Sequence, residues 1–307
     1  MHSAALSHGR ENALVREPHF RRKGRASARR VSSEHCTIVW LLVPWAQDIL
    51  DAIESGRVNL EHYLLDQWRL MHIGAQPVPP SLIKRWLKYF PHHKYDTNYG
   101  LSESIGPGCV HLGVDNIEKI GAIGKAGYLW QTRILDERGN DVAPGEIGEL
   151  AVKGPGVMKC YYKNPEATAE ILHGDWLWTG DMAREDKDGF IYLVDRKKDV
   201  IISGGENLYP VQIEDFLRRN EKIKDVAVIG LPDQRLGEIA AAIIELKDGA
   251  DCTETEIQDF CRELPRYKRP RRVIFAKVPR NPTGKIEKPV LRQIYCGGRL
   301  VEEQTKA

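Results

Sequence analysis

Four stretches of this sequence combine residue types that could perform chemistry. In residues 96–104, DTNYGLSES, an aromatic ring, a glycine, a hydroxyl and a carboxylate follow one another. Tyr99 offers a flat face, Gly100 a close backbone approach, and Ser102 and Glu103 polar oxygens. Together they could hold a purine, phosphate oxygens and a magnesium ion, which favours few protein carboxylates combined with phosphate oxygens. Taken alone, the segment reads better as a polar loop. In residues 176–196, WLWTGDMAREDKDGFIYLVDR, Asp181 follows Thr-Gly, a turn that could present its carboxylate to a vicinal diol such as a ribose. A lone Asp in a turn more often caps local backbone. Arg196 ends the following strand, where its guanidinium could reach ribose or phosphate oxygens, or form a surface salt bridge. In residues 202–210, ISGGENLYP, Gly204 and Gly205 let the backbone pass close to another surface, while Glu206 and Asn207 could simply cap a helix. The fourth stretch is NPTGKIEK, residues 281–288. Its Gly284-Lys285 pair lacks a preceding glycine loop, and Ile286 stands where a phosphate loop needs Ser or Thr, so Lys285 is not a phosphate-loop lysine of the ordinary kind.

The elements that must position these residues change texture along the chain. Residues 36–44, CTIVWLLVP, form an apolar run of strand length, and Ala46, Ile49, Leu50 and Ile53 then recur at helical spacing up to Gly56. Residues 70–73 read as a second strand, GAQPVPP leads into a helix carrying Leu82, Ile83, Trp86 and Leu87, and residues 93–99 read as a third strand. Alternating strand and helix predict a parallel α/β sheet. Ligands of such sheets sit beyond the C-terminal strand ends, which points to the loops after Ile73 and Tyr99. From about residue 114, short β-runs broken by Gly, Asn and Pro predict an all-β layer, a small barrel or curled sheet, with ERGN turning between TRILD and the EIGELAV run. After Arg196, Pro210 opens a helix, Thr253 and Glu256 make a capping box for a helix over 254–263, and KPVLRQIY forms a last short helix. This last part reads as a compact α+β module of about 110 residues.

Composition narrows the class. Hydrophobic content of 42% with 29% charged residues describes a globular chain rather than a disordered or membrane-spanning one. Residues 1–30 hold eight Lys/Arg against two acids, so the other residues are mildly acidic despite a net charge of +2. That balance argues against a nucleic-acid-binding body. The Arg-rich stretch has little apolar periodicity and no secretory core segment, and reads as a disordered, solvated leader. Six cysteines with no C-x-x-C pair suit reduced thiols in a cytoplasmic protein. The longest apolar run is too short to cross a bilayer.

In order along the chain, IGAQPVPPSL, YGLSES, GELAVKGPGVMKCYY, WLWTGD, FIYLVDRKKDVIISGGENLYPVQIE and NPTGKI together resemble the adenylate-forming family, which includes acyl-CoA synthetases, peptide-synthetase adenylation domains and luciferases. The wording DRKKDVIISGGENLYP and LPRYKRP is most similar to the acyl-CoA synthetase branch. The resemblance implies an acid–thiol ligase: a carboxylate attacks the α-phosphate of ATP to give an acyl-adenylate, and coenzyme A then takes the acyl group. It implies that Gly74, Ala75 and Gln76 line the adenine pocket, that Tyr99 packs on the purine, and that Ser102 contacts the α-phosphate or acyl oxygens. Glu103 would hold Mg2+, Asp181 would accept both ribose hydroxyls, and Arg196 would lie nearby. Lys198 would be the hinge of a mobile C-terminal domain, Gly204, Gly205 and Glu206 would line the pantetheine channel, and Lys285 would be the catalytic lysine that domain delivers. A positive charge there would stabilise charge accumulating between carboxylate and phosphate, and its mobility would let one site serve two reactions.

One family feature is not found in residues 1–95: the Thr/Ser/Gly-rich phosphate loop ending in Pro-Lys-Gly. The expected organisation is therefore a basic leader over 1–35, a remnant of the parallel α/β subdomain over 36–113, a barrel-like β subdomain over 114–196, and the α+β lid over 197–307. The overall class is α/β plus α+β. The expected function is an ATP-dependent acid–CoA ligase, truncated in its N-terminal region and impaired in adenylation, for a fatty or other carboxylic acid. The alternatives are a non-catalytic fragment, or half of a split enzyme completed by an N-terminal fragment. No nucleic-acid partner and no transmembrane segment are expected.

Overall fold

The computed structural model describes residues 23–74, 78–113, 116–281 and 284–296. Ala75 and Gln76 lie outside the described residues, as do Pro282 and Thr283. Its first layer contains α1 (Lys23–Ser33), β1 (Ile38–Leu42), α2 (Val43–Glu54), β2 (Leu70–Gly74), α3 (Pro80–Tyr89), β3 (Lys94–Leu101), β4 (Gly106–Leu112) and β5 (Lys125–Ala126). The five strands form one sheet in the order β1-β2-β3-β4-β5. The first three run parallel, and the β3–β4 and β4–β5 pairs are antiparallel. Helical spacing puts Ala46 and Leu50 of α2, and Leu82, Ile83 and Trp86 of α3, into a core with Leu41, Met71 and Ile73 of the strands. Prolines open both helices, where the missing N–H would have had no partner.

The expectation of disorder through residue 35 fails at α1. Ala28 and Val31 are three residues apart, share one helix face, and are buried at 5% and 4% exposure. Ala28 packs with Ala52 of α2 and Val58, and the Ser32 hydroxyl accepts the Leu64 N–H at 2.9 Å. The arginines that dominate the composition of this segment hide a short apolar stripe.

The second sheet holds β6 (Gln131–Leu135), β7 (Gly148–Lys153), α4 (Pro165–Ile171), β8 (Leu172–His173), β9 (Trp176–Glu185) and β10 (Ile191–Arg196). Its order is β10-β9-β7-β6, with β8 also on β9. The expected barrel-like subdomain is not formed. Closure would require the outer strands β10 and β6 to pair with each other, and among the described residues they do not. Register shifts between Glu149 and Ala151 and between Leu193 and Asp195 bend the strands, which remain an open sheet. A bridge between Gly124 and Ile191 ties this sheet to the first.

The third sheet contains β11 (Ile201–Ser203), β12 (Glu206–Leu208), α5 (Pro210–Leu217), β13 (Ile223–Asp233), β14 (Gly237–Leu246), α6 (Glu254–Phe260), β15 (Arg272–Phe275) and α7 (Lys288–Tyr295). Strand β14 pairs antiparallel with β13 and parallel with β15. Helices α5 and α6 cover one face through Ile213, Leu217 and Ile257, and α7 covers the other through Leu291. The Thr253–Glu256 capping box starts α6. Mixed α/β followed by α+β topology is thus the architecture.

Candidate active site

Period-two alternation in β3 buries Tyr95, Thr97 and Tyr99 on one face. Tyr99 donates its hydroxyl to Asp181 Oδ2 at 2.6 Å. Asp181 stands in β9, directly opposite Arg196 at the end of β10, and Arg196 Nε lies 3.1 Å from Asp181 Oδ1. Burial pushes the Asp181 carboxyl up, while the Tyr99 hydroxyl and the Arg196 guanidinium pull it down against that burial. Burial, reinforced by the neighbouring carboxylate, pushes the Tyr99 phenol well above its ordinary value. A carboxylate offers about four lone-pair sites. Tyr99 and Arg196 engage one oxygen each, which leaves acceptor capacity on both oxygens for the two hydroxyls of a vicinal diol.

Thr179 and Gly180 lie within β9 rather than in the expected turn, where its pairing with β7 shifts register, and are fastened from that neighbouring strand. Thr179 donates to the Leu150 carbonyl at 2.7 Å, and the Gly180 N–H donates to Glu149 Oε1 at 3.0 Å. Gly180 has φ +71°, in the left-handed region that favours glycine. Glu149 is buried, and its Oε2 accepts from Lys197 at 3.0 Å. Sequence reasoning gave Glu149 no role, although it stands inside the GELAV motif.

Beyond β3, residues Ser102–Ser104 form a 3-10 turn. Ser102 is exposed and Glu103 half-buried. Tyr161 donates its hydroxyl to Glu103 Oε1 at 2.7 Å, and the Met158 N–H reaches the Glu103 carbonyl at 2.7 Å. The bond to Glu103 pushes the Tyr161 phenol up to about 12. Tyr161 was also missed as a site residue; its signal is the CYY that closes the GELAVKGPGVMKCYY motif. Among the described residues no group of three or more His, Cys, Asp and Glu could by itself hold a metal. A single anchored carboxylate does fit Mg2+, an ion that takes most of its ligands from phosphate and water.

Gly74 ends β2, where an added Cβ would lie 3.7 Å from Asn98 Oδ1, one residue before Tyr99. Lys285 is exposed, on a loop closed by bonds from its N–H to Asn281 Oδ1 at 2.9 Å and from the Gly284 N–H to the Asn281 carbonyl at 2.8 Å. Gly284 has φ +85°, and a Cβ there would lie 3.2 Å from Pro44 Cγ. Pro44 is in the first turn of α2, two residues beyond the end of β1. The loop therefore touches the C-terminal edge of the parallel strands, the edge from which Gly74 and Ser102-Glu103 also emerge. Strands β1 and β3 are two apart, about 10 Å.

Lys198 lies in the 3-10 turn Lys197–Asp199 between β10 and β11. Gly204, Gly205 and Glu206 form the tip of the β11–β12 hairpin, with Gly204 at φ +61° and Gly205 at φ +86°. The Gly204 N–H donates to the Leu236 carbonyl at 2.8 Å, within the third sheet. Tyr99, Asp181 and Arg196 are thus in contact, Gly74, Ser102, Glu103 and the Lys285 loop share one sheet edge, and the hairpin belongs to another sheet.

Comparison with known proteins bears on this arrangement. The profile described as AMP-binding enzyme matches residues 2–162, and that of the AMP-binding enzyme C-terminal domain matches residues 212–285. The chain belongs to the AMP-binding enzyme family. The match from residue 2 overturns the expectation that the N-terminal region of the family is missing. Searching for one loop by its residue types overlooks a relationship spread over a whole segment, and α1 packs into the first layer of this AMP-binding enzyme.

A long-chain-fatty-acid–CoA ligase of Mycobacterium tuberculosis is 41% identical over 230 residues, 74% of this chain and 45% of that protein. A 4-coumarate–CoA ligase-like protein of Arabidopsis thaliana is 35% identical over 260 residues, 83% of this chain and 46% of that protein. This AMP-binding enzyme chain spans about half the length of the curated relatives it matches. Among solved structures, an anthranilate CoA ligase in complex with anthranoyl-AMP is similar with a TM-score of 0.80 and 26% identity over 91% of this chain and 54% of that one. ATP-bound MatB from Rhodopseudomonas palustris is similar with a TM-score of 0.78 and 29% identity over 86% of this chain and 52% of that one.

Proposed function

We propose that this AMP-binding enzyme is an acid–CoA ligase working through an acyl-adenylate. The observation that carries the reading is the buried Asp181 carboxylate, held by Tyr99 and Arg196 with acceptor capacity left on both oxygens. In the first half-reaction a carboxylate oxygen bonds to the α-phosphorus of ATP, the bond to the bridging oxygen of the β-phosphate breaks, and pyrophosphate leaves. Asp181 takes the 2′ and 3′ hydroxyls of the ribose, Arg196 keeps that carboxylate charged, and Tyr99 presents its ring to the purine beside Gly74. Lys285 supplies positive charge where the carboxylate meets the α-phosphate, with Ser102 hydrogen bonding there. Glu103, steadied by the Tyr161 hydroxyl, would hold Mg2+, which when bound neutralises phosphate charge.

In the second half-reaction the CoA sulfur bonds to the acyl carbon, and AMP leaves with the electrons of the carbon–oxygen bond. The third sheet and its helices would turn about Lys198, withdrawing Lys285 and bringing Gly204, Gly205 and Glu206 to the pantetheine arm. The substrate is a fatty or aromatic carboxylic acid, a range spanned by the names of relatives that ligate long-chain fatty acid, 2-succinylbenzoate and ferulate. A cytoplasmic setting fits the six free cysteines, and no helix among the described residues is long and apolar enough to cross a membrane. Acid-dependent exchange of pyrophosphate into ATP, followed by CoA-dependent thioester formation across such a panel of acids, tests the reading. Failure of every acid to drive exchange would refute it.

A further inference from the structure

Asp195 is buried at 6% exposure near the end of β10, immediately after a register shift between Leu193 and Asp195. Such a shift re-aims side chains. Here the carboxylate faces away from its own sheet toward the third one. Its Oδ1 accepts the Arg196 N–H at 2.8 Å, and its Oδ2 accepts the Val211 N–H at 2.8 Å. Val211 lies in the first turn of α5, whose N-cap residue Tyr209 makes no side-chain cap bond. An orphan N–H of that helix is thus satisfied from across the 3-10 turn that contains Lys198. Lys288 adds a positive charge facing Asp195 from α7, and itself sits 2.9 Å from Glu214 Oε1. On the far side of Lys198, Arg292 of α7 holds Asp199 at 2.7 Å. Lys288 and Arg292 belong to the helix that starts three residues after Lys285.

Asp195 therefore stands on one side of Lys198, while Val211, Lys288 and Arg292 stand on the other. A rotation about Lys198 carries α5 and α7 away and leaves Asp195 behind with β10. We infer that Asp195 is a positioning residue, a latch across the hinge that holds the third sheet and its helices in the orientation where the Lys285 loop touches Pro44. The inference rests on the ligase reading for its catalytic meaning, because that orientation is then the one that serves adenylation. Arg196, which pairs with the ribose-binding Asp181, adjoins the latch.

The test uses the full chain and its Asp195→Ala and Asp195→Asn variants. Trypsin cleavage after Lys197 and Lys198, followed by mass spectrometry, reads hinge exposure whether or not the chain is active. The latch predicts cleavage about tenfold faster in D195A, with D195N intermediate because its amide oxygen still accepts the Val211 N–H. Pyrophosphate exchange should fall about tenfold in D195A, while thioester formation from supplied acyl-adenylate is unchanged or faster. In the unsubstituted protein, the Val211 amide should exchange slowly with deuterium in the ATP complex and faster with acyl-adenylate plus CoA. That last measurement needs no variant to fold. Unchanged cleavage, or an equal fall in both half-reactions, would overturn the latch. Absent exchange activity in the unsubstituted protein would sink the ligase reading alone, because cleavage and the free-state Val211 protection still report on the latch.

Discussion

Replacing Asp181 tests the proposed ribose clamp at a single carboxylate. Tyr99 and Arg196 engage its two oxygens at 2.6 and 3.1 Å, so two further acceptor positions remain for a diol. A hydrogen bond to a charged group is worth about 1.5–3 kcal/mol, so two of them make about 3–6 kcal/mol. At 1.4 kcal/mol per factor of ten, Asp181→Ala should weaken ATP binding by about a hundredfold or more. Asp181→Asn keeps one neutral oxygen and should fall near the lower end. Calorimetric titration with ATP and with tripolyphosphate separates the ribose contribution from the phosphate one. ATP affinity should drop and tripolyphosphate affinity should stay within about threefold. Burial already opposes the charged carboxyl, so D181N should fold, and its thermal midpoint serves as the control. ATP affinity unchanged in D181A, or equal losses for both ligands, would refute the assignment.

Two stability predictions concern the buried charges around Asp195. Lys288 is 7% exposed and lies 2.9 Å from Glu214. Lys288→Met leaves that carboxylate with only Arg218 at 3.7 Å and the Val228 N–H at 2.8 Å, and should cost about 3 kcal/mol, read as a lower urea midpoint at unchanged slope; E214L/K288M should recover most of the loss. Burial raises the Asp195 carboxyl to about 6, with Glu214 adding to that and Lys288 and the Val211 N–H opposing it. The folded chain then binds more protons than the unfolded one between an ordinary carboxylate value of about 4 and about 6. This group's contribution to stability is therefore greatest below pH 4 and declines as pH rises through 6, by about 3 kcal/mol in total. Subtracting the urea-derived stability profile of D195N from that of the unsubstituted chain should expose this slope, and a flat difference would count against it.

What was legible in the sequence was local. The strand read over 93–99 forms as β3, the Thr253–Glu256 pair starts α6, and the apolar runs at 38–42 and 70–74 become neighbouring parallel strands. What was not legible depends on pairings that sequence spacing does not encode. An open and a closed β-layer carry the same short runs and turns, and only the failure of β6 to meet β10 separates them. In α1, a two-residue stripe of Ala28 and Val31 is outweighed in composition by arginines, yet it suffices against α2. Glu149 and Tyr161 act on Gly180 and Glu103, 31 and 58 residues away. Asp195 reads as one charge in the run DRKKD until the fold buries it against α5.

The central claim is that Lys285 is the lysine of an adenylation site built around Asp181. Acid-dependent exchange of labelled pyrophosphate into ATP measures it most directly, with Lys285→Ala compared against the unsubstituted chain at saturating ATP. The exchange rate should fall by about a hundredfold or more, with ATP affinity and thermal midpoint little changed because the side chain is exposed. Exchange at an undiminished rate in K285A would contradict it.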